Sequence, residues 1–264
     1  MNFYSLIGLL LALGVFIAGV VTSADNYLHF WDFPALLIVL GGTFAALSIS
    51  FQVNRVFALF KAFFKRVLFG HRHSYDQVIQ ELMKISEGNR KGESLDLFIN
   101  STKDHFLKES LLLCHDNILE GDDLFEVLEN RVENMHFHYM EEANRFKAAG
   151  KYPPAFGLMG TTIGMIVLLS SIGGADALKK IGPAMSVCLT ATLYGVTLAN
   201  FFFIPIGENL VDSSREIYLK NKIIVEGIRL MLQKTNPIVL AEKLNSFLMP
   251  HDRLDWKGNA GKSK

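Results

Sequence analysis

Residues 153–206 read PPAFGLMGTTIGMIVLLSSIGG, then ADALKKIG, then PAMSVCLTATLYGVTLANFFFIPI. The two arms, 153–172 and 183–206, contain no Asp, Glu, Lys, Arg or His, and each is long enough to cross a hydrocarbon core as a helix. They predict a membrane hairpin. Gly157, Gly160, Gly164 and Gly195, with Thr161, Thr162, Thr190, Thr192 and Thr197, interrupt the Leu, Ile, Val and Phe, which marks faces that pack on protein or line a polar path. On the first arm Gly157, Thr161 and Gly164 fall at i, i+4 and i+7, and on the second Cys188, Thr192, Gly195 and Ala199 form a comparable stripe. Each stripe admits a close helix and places a hydroxyl near its middle. A single Thr in a span is ordinarily bonded to the preceding turn's carbonyl and serves packing. Two such stripes on adjacent helices weaken that reading.

Working outward, residues 4–21 (YSLIGLLLALGVFIAGVV) and 33–51 (FPALLIVLGGTFAALSISF) are two further uncharged stretches, which brings the count to four spanning helices. The first lacks the basic start of a signal peptide, and the TSADNY after it is a poor cleavage site, so it is read as retained. Residues 22–31 carry no Lys or Arg, whereas 52–151 and the chain after 207 are rich in both. That asymmetry puts both termini and the long middle segment in the cytoplasm, with Lys179 and Lys180 outnumbered on the outer side.

The expected fold is all-α: an integral membrane protein with four transmembrane helices and a helical cytoplasmic lobe between the second and third. Residues 1–52 hold the first two spans, 53–151 the lobe, 152–207 the last two spans, 208–250 cytoplasmic C-terminal helices, and 251–264 a polar tail expected to be disordered. In the lobe, apolar residues recur at helical spacing, as in Val78, Leu82 and Ile85, or Leu124, Val127, Leu128 and Val132. Residues 53–69, with five phenylalanines among Lys61, Lys65 and Arg66, read as an amphipathic helix at the inner membrane surface.

Several chemistries are not expected. Cys114 in the lobe and Cys188 in a span do not form a structural disulfide. His71/His73 and His136/His138 lack metal-site spacing, and i, i+2 residues on a helix point apart. GLMGTTIG does not match a phosphate-binding loop, no enzyme reading survives, and neither a cofactor nor a nucleic-acid partner is expected. Within the membrane no span carries a carboxylate, although a group that moves ions by titration is kept at mid-depth for that purpose. If the threonine-bearing helices conduct an ion, the carboxylate comes from another protein.

The motif PAFGLMGTTIGMIVLL...IGPAMSVCLTATLYGVTLANFFFIPI, together with Gly41-Gly42 in LIVLGGTFAA, the Arg90-Lys91-Gly92 step and the Asn236-Pro237 turn, resembles the MotA/PomA family of bacterial flagellar stator subunits over almost the whole length. That resemblance implies a homopentamer around two copies of a MotB/PomB-type partner, whose single transmembrane helix supplies the ion-binding Asp. It implies ion flow turned into torque on the rotor protein FliG, from the bacterial inner membrane. On this basis Thr161 and Thr192 fall at the ion pathway, with Thr190 beside them. Pro154 and Pro205 shape the helices, and Arg90 and Lys91 contact the rotor. Gly157, Gly160, Gly164 and Gly195 serve helix packing. Pro154 reads equally well as a first-turn helix starter.

Two departures stand out. The family's Leu-Ala-Leu-Glu run is here Leu95, Asp96, Leu97, Phe98, so Phe98 takes the place of a rotor-contacting Glu, with Glu93 or Asp96 as substitutes. Sodium-type members have two adjacent threonines where this chain has Ala191 then Thr192. Loss of one oxygen ligand favours H+ over Na+ as the coupling ion. The competing reading is an ExbB/TolQ-like energiser of outer-membrane processes, which shares the last two spans but generally has three; a scaffold without ion flux is a third.

Overall fold

The computed structural model describes residues 3–23, 30–51, 75–116, 119, 121–172 and 177–254. Helices α1 (Phe3–Ser23), α2 (Phe33–Ser50), α3 (Tyr75–Lys91), α4 (Leu95–Ser101), α5 (His105–His115), α6 (Gly121–Ala149), α7 (Tyr152–Ser171), α8 (Ala177–Leu198), α9 (Ile204–Leu232) and α10 (Pro237–Asn245) make up the described chain, which has no strand. The amphipathic stretch 53–69, His71 and His73, Asp176 and residues 255–264 lie outside the described residues.

The chain divides into two compact units, Met1–Arg72 with Met140–Asp212 and His73–Tyr139 with Ser213–Lys264. Their boundaries fall inside α6 and α9 rather than at the ends of the apolar stretches, because both helices run on past the hydropathy change without a break in their hydrogen bonding.

Among the described residues three helices are long and apolar enough to cross a membrane. These are Phe33–Ser50, the run ending at Ser171 and the run starting at Ile181, with a shorter apolar stretch at Leu10–Ser23 inside α1. Asp32 caps α2, its carboxylate accepting from the Ala35 N–H at 3.0 Å, and Pro34 sits in the first turn, where its missing donor costs nothing. Tyr194 fastens this end to α8: its hydroxyl donates to Phe30 O and accepts from the Asp32 N–H at 3.1 Å. The last apolar arm, expected to start at Pro183, belongs to a helix that starts earlier. Its helix begins at Ala177 and holds Pro183 inside, where a spanning helix tolerates it.

The two prolines singled out for helix shape have different surroundings. Pro154 lies in the first turn of α7 with Pro153, at a helix start rather than in a mid-span kink. Pro205 follows a π-helical turn, Ala199–Phe203, in which the Ile204 N–H reaches back five residues to Ala199 O. A proline cannot donate to the ladder, and the wider turn occurs where that bond would be missing. A second π turn, Leu37–Gly41, widens α2.

In the second unit the helical periodicity buries what it should. Val78, Leu82 and Ile85 from α3 and Leu124, Leu128 and Val132 from α6 join Ile223, Ile224, Ile228 and Met231 of α9 in one core. Gly227 lets α9 close on Leu82, since a Cβ there would meet the leucine side chain. Asp104 caps α5 through the Leu107 N–H at 3.1 Å and also pairs with the buried ammonium of Lys220. Residues 251–254, expected to belong to a disordered tail, are folded onto the second unit. Pro250–Asp252 form a 3-10 turn, and Leu254 is buried, held by two hydrogen bonds of 2.9 and 3.0 Å to the Asn245 amide. An apolar side chain and a paired backbone tie these residues down despite their polar sequence.

Candidate functional site

The two small-residue stripes pack against each other. A Cβ on Gly157 would lie 2.9 Å from Ala191 O, and one on Gly164 would lie 3.0 Å from Ala184 O. One on Gly195 would strike the Pro153 carbonyl, and one on Gly160 would strike the Ala191 methyl. All four glycines are buried. Side chains at these places would push the backbones apart, so the glycines set the α7–α8 distance.

That distance brings two hydroxyls together. Thr161 Oγ1 lies 2.5 Å from Thr192 Oγ1, 3.1 Å from Gly157 O and 3.0 Å from Cys188 O, while Thr192 Oγ1 lies 3.3 Å from Cys188 O. The Cys188 thiol completes the cluster by donating to Thr161 O at 3.3 Å. Each hydroxyl has one proton to give and two lone pairs to receive. Whichever carbonyl is served, each oxygen keeps at least one unused lone pair, available to a hydrated cation or to a donor on another chain. Thr192 lies on the exposed side of α8, so the pair opens outwards from a single chain.

Thr190 does not join it. It is buried, and its hydroxyl donates to Ser186 O at 2.7 Å in its own helix. Ala191 is fully buried beside Ala35 and Val39 of α2, with its methyl against Gly160, so a hydroxyl there would enter the packing of α2, α7 and α8 rather than the exposed face that carries Thr192. The sequence reading passed over Asn200. It is exposed on the stripe Met185, Leu189, Thr192, Val196, Asn200, and its amide donates to Val196 O at 2.9 Å. The signal was an amide eight residues after Thr192 in an otherwise apolar arm, hence on the same face.

The charged residues of the lobe gather where α3 ends. Gly92, at φ +81°, closes that helix with a Schellman pair, its own N–H to Asn89 O at 3.2 Å and the Glu93 N–H to Gly88 O at 3.0 Å. Only glycine adopts such a φ without strain, and the turn leaves Arg90 and Lys91 exposed in the last helical turn. Lys91 Nζ bonds Glu87 Oε1 at 2.7 Å, which holds the ammonium above its ordinary range and the carboxylate below its own. Arg90 has no ion pair among the described residues. Asp96 Oδ2 accepts from Ser94 Oγ at 3.0 Å, and Asp96 Oδ1 lies 3.3 Å from His115 Nε2. Glu93 is exposed. Phe98 instead packs on the lobe core with its ring over Gly88, where any Cβ would collide with it. Neighbouring this tip, Ser86 donates to Thr235 O at 3.2 Å and Asn89 to Met231 O at 3.2 Å. The exposed Lys234, at φ 54° in the α9–α10 turn, is therefore close to the basic pair.

Comparison with known proteins gives one consistent picture. The model of the MotA/TolQ/ExbB proton channel family matches residues 99–222. Motility protein A of Borreliella burgdorferi is 31% identical over 99% of this chain and 99% of its own length. The flagellar MotAB stator complex from Bacillus subtilis contains a chain that superposes with a TM-score of 0.84 at 27% identity, over 96% of this chain and 99% of that one. The C. jejuni MotAB structure gives 0.83 at 25% identity, over 97% of this chain and 100% of that one.

Proposed function

Since the chain belongs to the motility protein A family, and is thus a flagellar motor stator subunit, we propose that its Thr161–Thr192 pair forms half of an ion path completed by a partner's carboxylate. The observation that carries this reading is the paired hydroxyls on an exposed helix face, in a chain whose own spans hold no carboxylate. A polar pair at that depth is kept for function or for packing, and packing alone does not require it to face outwards. A MotB-type partner with one spanning helix bearing an Asp fits the stripe Met185, Leu189, Thr192, Val196, Asn200. The stator reading is favoured over the ExbB/TolQ-like one by the near-complete overlap with motility protein A.

In the full proposal α1 is a fourth span, and both termini and the lobe are cytoplasmic, in the inner membrane. Five copies surround two partner chains, and ion flow turns the ring so that Arg90 and Lys91 push on FliG. The coupling ion is H+. Two hydroxyls and their carbonyls provide few ligands for a dehydrated Na+, whereas a proton needs only a carboxylate and a hydrogen-bonded path. The test is motility of cells expressing this chain with its partner. Swimming persists when Na+ is replaced by K+, collapses with a protonophore, and is lost in Thr161→Ala and Thr192→Ala at unchanged membrane abundance. Speed that follows Na+ concentration would reverse the choice of ion, and full swimming of both Thr variants would remove the hydroxyls from the path.

A further inference from the structure

Two helices of the second unit end side by side, and both end in the same way. At the end of α9 the Lys234 N–H bonds Met231 O at 2.9 Å and the Thr235 N–H bonds Leu230 O at 3.1 Å, the same pair of bonds that closes α3 at Gly92 and Glu93. The place that Gly92 takes in one turn is taken in the other by Lys234, at φ 54°, the one non-glycine residue with positive φ among the described residues. There a Cβ crowds the backbone carbonyl, a strain that glycine escapes. A cation at a helix C-terminus is favoured by the last carbonyls, but the Asn89 amide already donates to Met231 O at 3.2 Å. Lys234 itself is exposed and has no ion pair among the described residues.

The two helix ends are held in fixed register. Ser86 Oγ donates to Thr235 O, also at 3.2 Å, so α3 grips the chain just before and just after Lys234. Asn236 fixes the next step by accepting the Ile238 N–H at 2.9 Å. Arg90 follows Ser86 by four residues, which puts both on one face of α3 with Cβ atoms about 5–6 Å apart. Through Ser86 that face meets the Lys234 turn. Glu93 turns the other way: its Oε2 lies against Gly88, about 200° round the helix from Arg90. Glu87 is engaged by Lys91 at 2.7 Å. Arg90 and Lys234 are left as two exposed cations on one side of the tip, with Leu232 and Ile238 exposed on either side of Lys234 in the chain.

We propose that Arg90 and Lys234 form one two-cation site, built jointly by α3 and the α9–α10 turn, that recognises paired carboxylates on the rotor protein. This rests on the rotor reading of Arg90 and adds to it a contact from a distant part of the chain. Two cations held at a fixed spacing select an acidic surface by geometry as well as by charge, so Lys234 contributes to encounter and specificity rather than to folding. The exposed Leu232 and Ile238 favour a protein over a small anion, because only a macromolecular surface covers both apolar side chains along with the two charges.

The test is swimming in soft agar, together with recruitment of a fluorescently tagged chain to flagellar motors, in cells expressing the full chain with a MotB-type partner. Lys234→Gly removes the cation and leaves the turn free of strain. Swimming and recruitment should nevertheless fall about threefold or more, at unchanged membrane abundance on immunoblots. Lys234→Arg, which keeps the charge, should match the wild type, and Lys234→Glu should lose more than Lys234→Gly. Full swimming and recruitment of Lys234→Gly, with Arg90→Gln impaired, overturns the two-cation site and leaves the rotor reading of Arg90 standing. Full swimming of Arg90→Gln overturns both. Equal losses in Lys234→Arg and Lys234→Gly also overturn the site, since the loss would then not follow the charge.

Discussion

At the scale of single residues, charge and burial separate positions that look alike in the sequence. Arg90 and Lys91 are neighbours in one basic step, yet Lys91 is bonded to Glu87 at 2.7 Å and Arg90 has no such partner among the described residues. A cation paired within its own helix offers less field to an approaching protein, and exposed charges act on encounter more than on folding. Arg90→Gln should therefore reduce swimming in soft agar several-fold more than Lys91→Gln, with equal membrane abundance of the two variants on immunoblots. Equal losses, or a larger one for Lys91, count against a rotor role divided in this way. Cys114 illustrates burial alone, which pushes its thiol up to about 11. Alkylation requires the thiolate, and at pH 8 only about one thiol in a thousand is ionised at any moment, which slows the reaction in proportion. Iodoacetamide labelling of Cys114 in the folded chain should rise about tenfold per pH unit from 8 to 10, and fast labelling at pH 8 would show that the lobe core is open.

At the scale of elements, the α7–α8 contact depends on glycine. Gly157→Leu or Gly195→Leu places a side chain against the Ala191 or Pro153 carbonyl, and overpacking of this kind costs about 1–3 kcal/mol. The helices part, the 2.5 Å hydroxyl contact opens, and motility should be lost while the lobe keeps its helical circular dichroism. Retained motility in both variants would mean that the spacing is not needed. These stripes were legible in the sequence because the 3.6-residue period alone puts Gly157, Thr161 and Gly164 on one face. Which hydroxyl meets which was not, since it depends on the rotation of α8, and that rotation buried Thr190 and brought out Thr192 and Asn200. The place of Phe98 was legible only as a departure from a family pattern. That its ring fills the space over Gly88 requires the fold.

At the scale of the whole molecule, the alternation of uncharged and charged stretches was enough to read an all-helical membrane protein. Unit boundaries inside α6 and α9 were not, because nothing in hydropathy marks where a continuous helix changes its packing partners. The central claim is that this stator subunit provides hydroxyls and a partner provides the carboxylate. It is tested most directly in a strain lacking its own stator, given this chain with a MotB-type partner, by recording rotation of tethered cells with the Asp proposed for the partner's span intact or replaced by Asn. Rotation is predicted with the Asp and none with Asn, at equal membrane abundance. Sustained rotation with Asn, or with this chain alone, would contradict it.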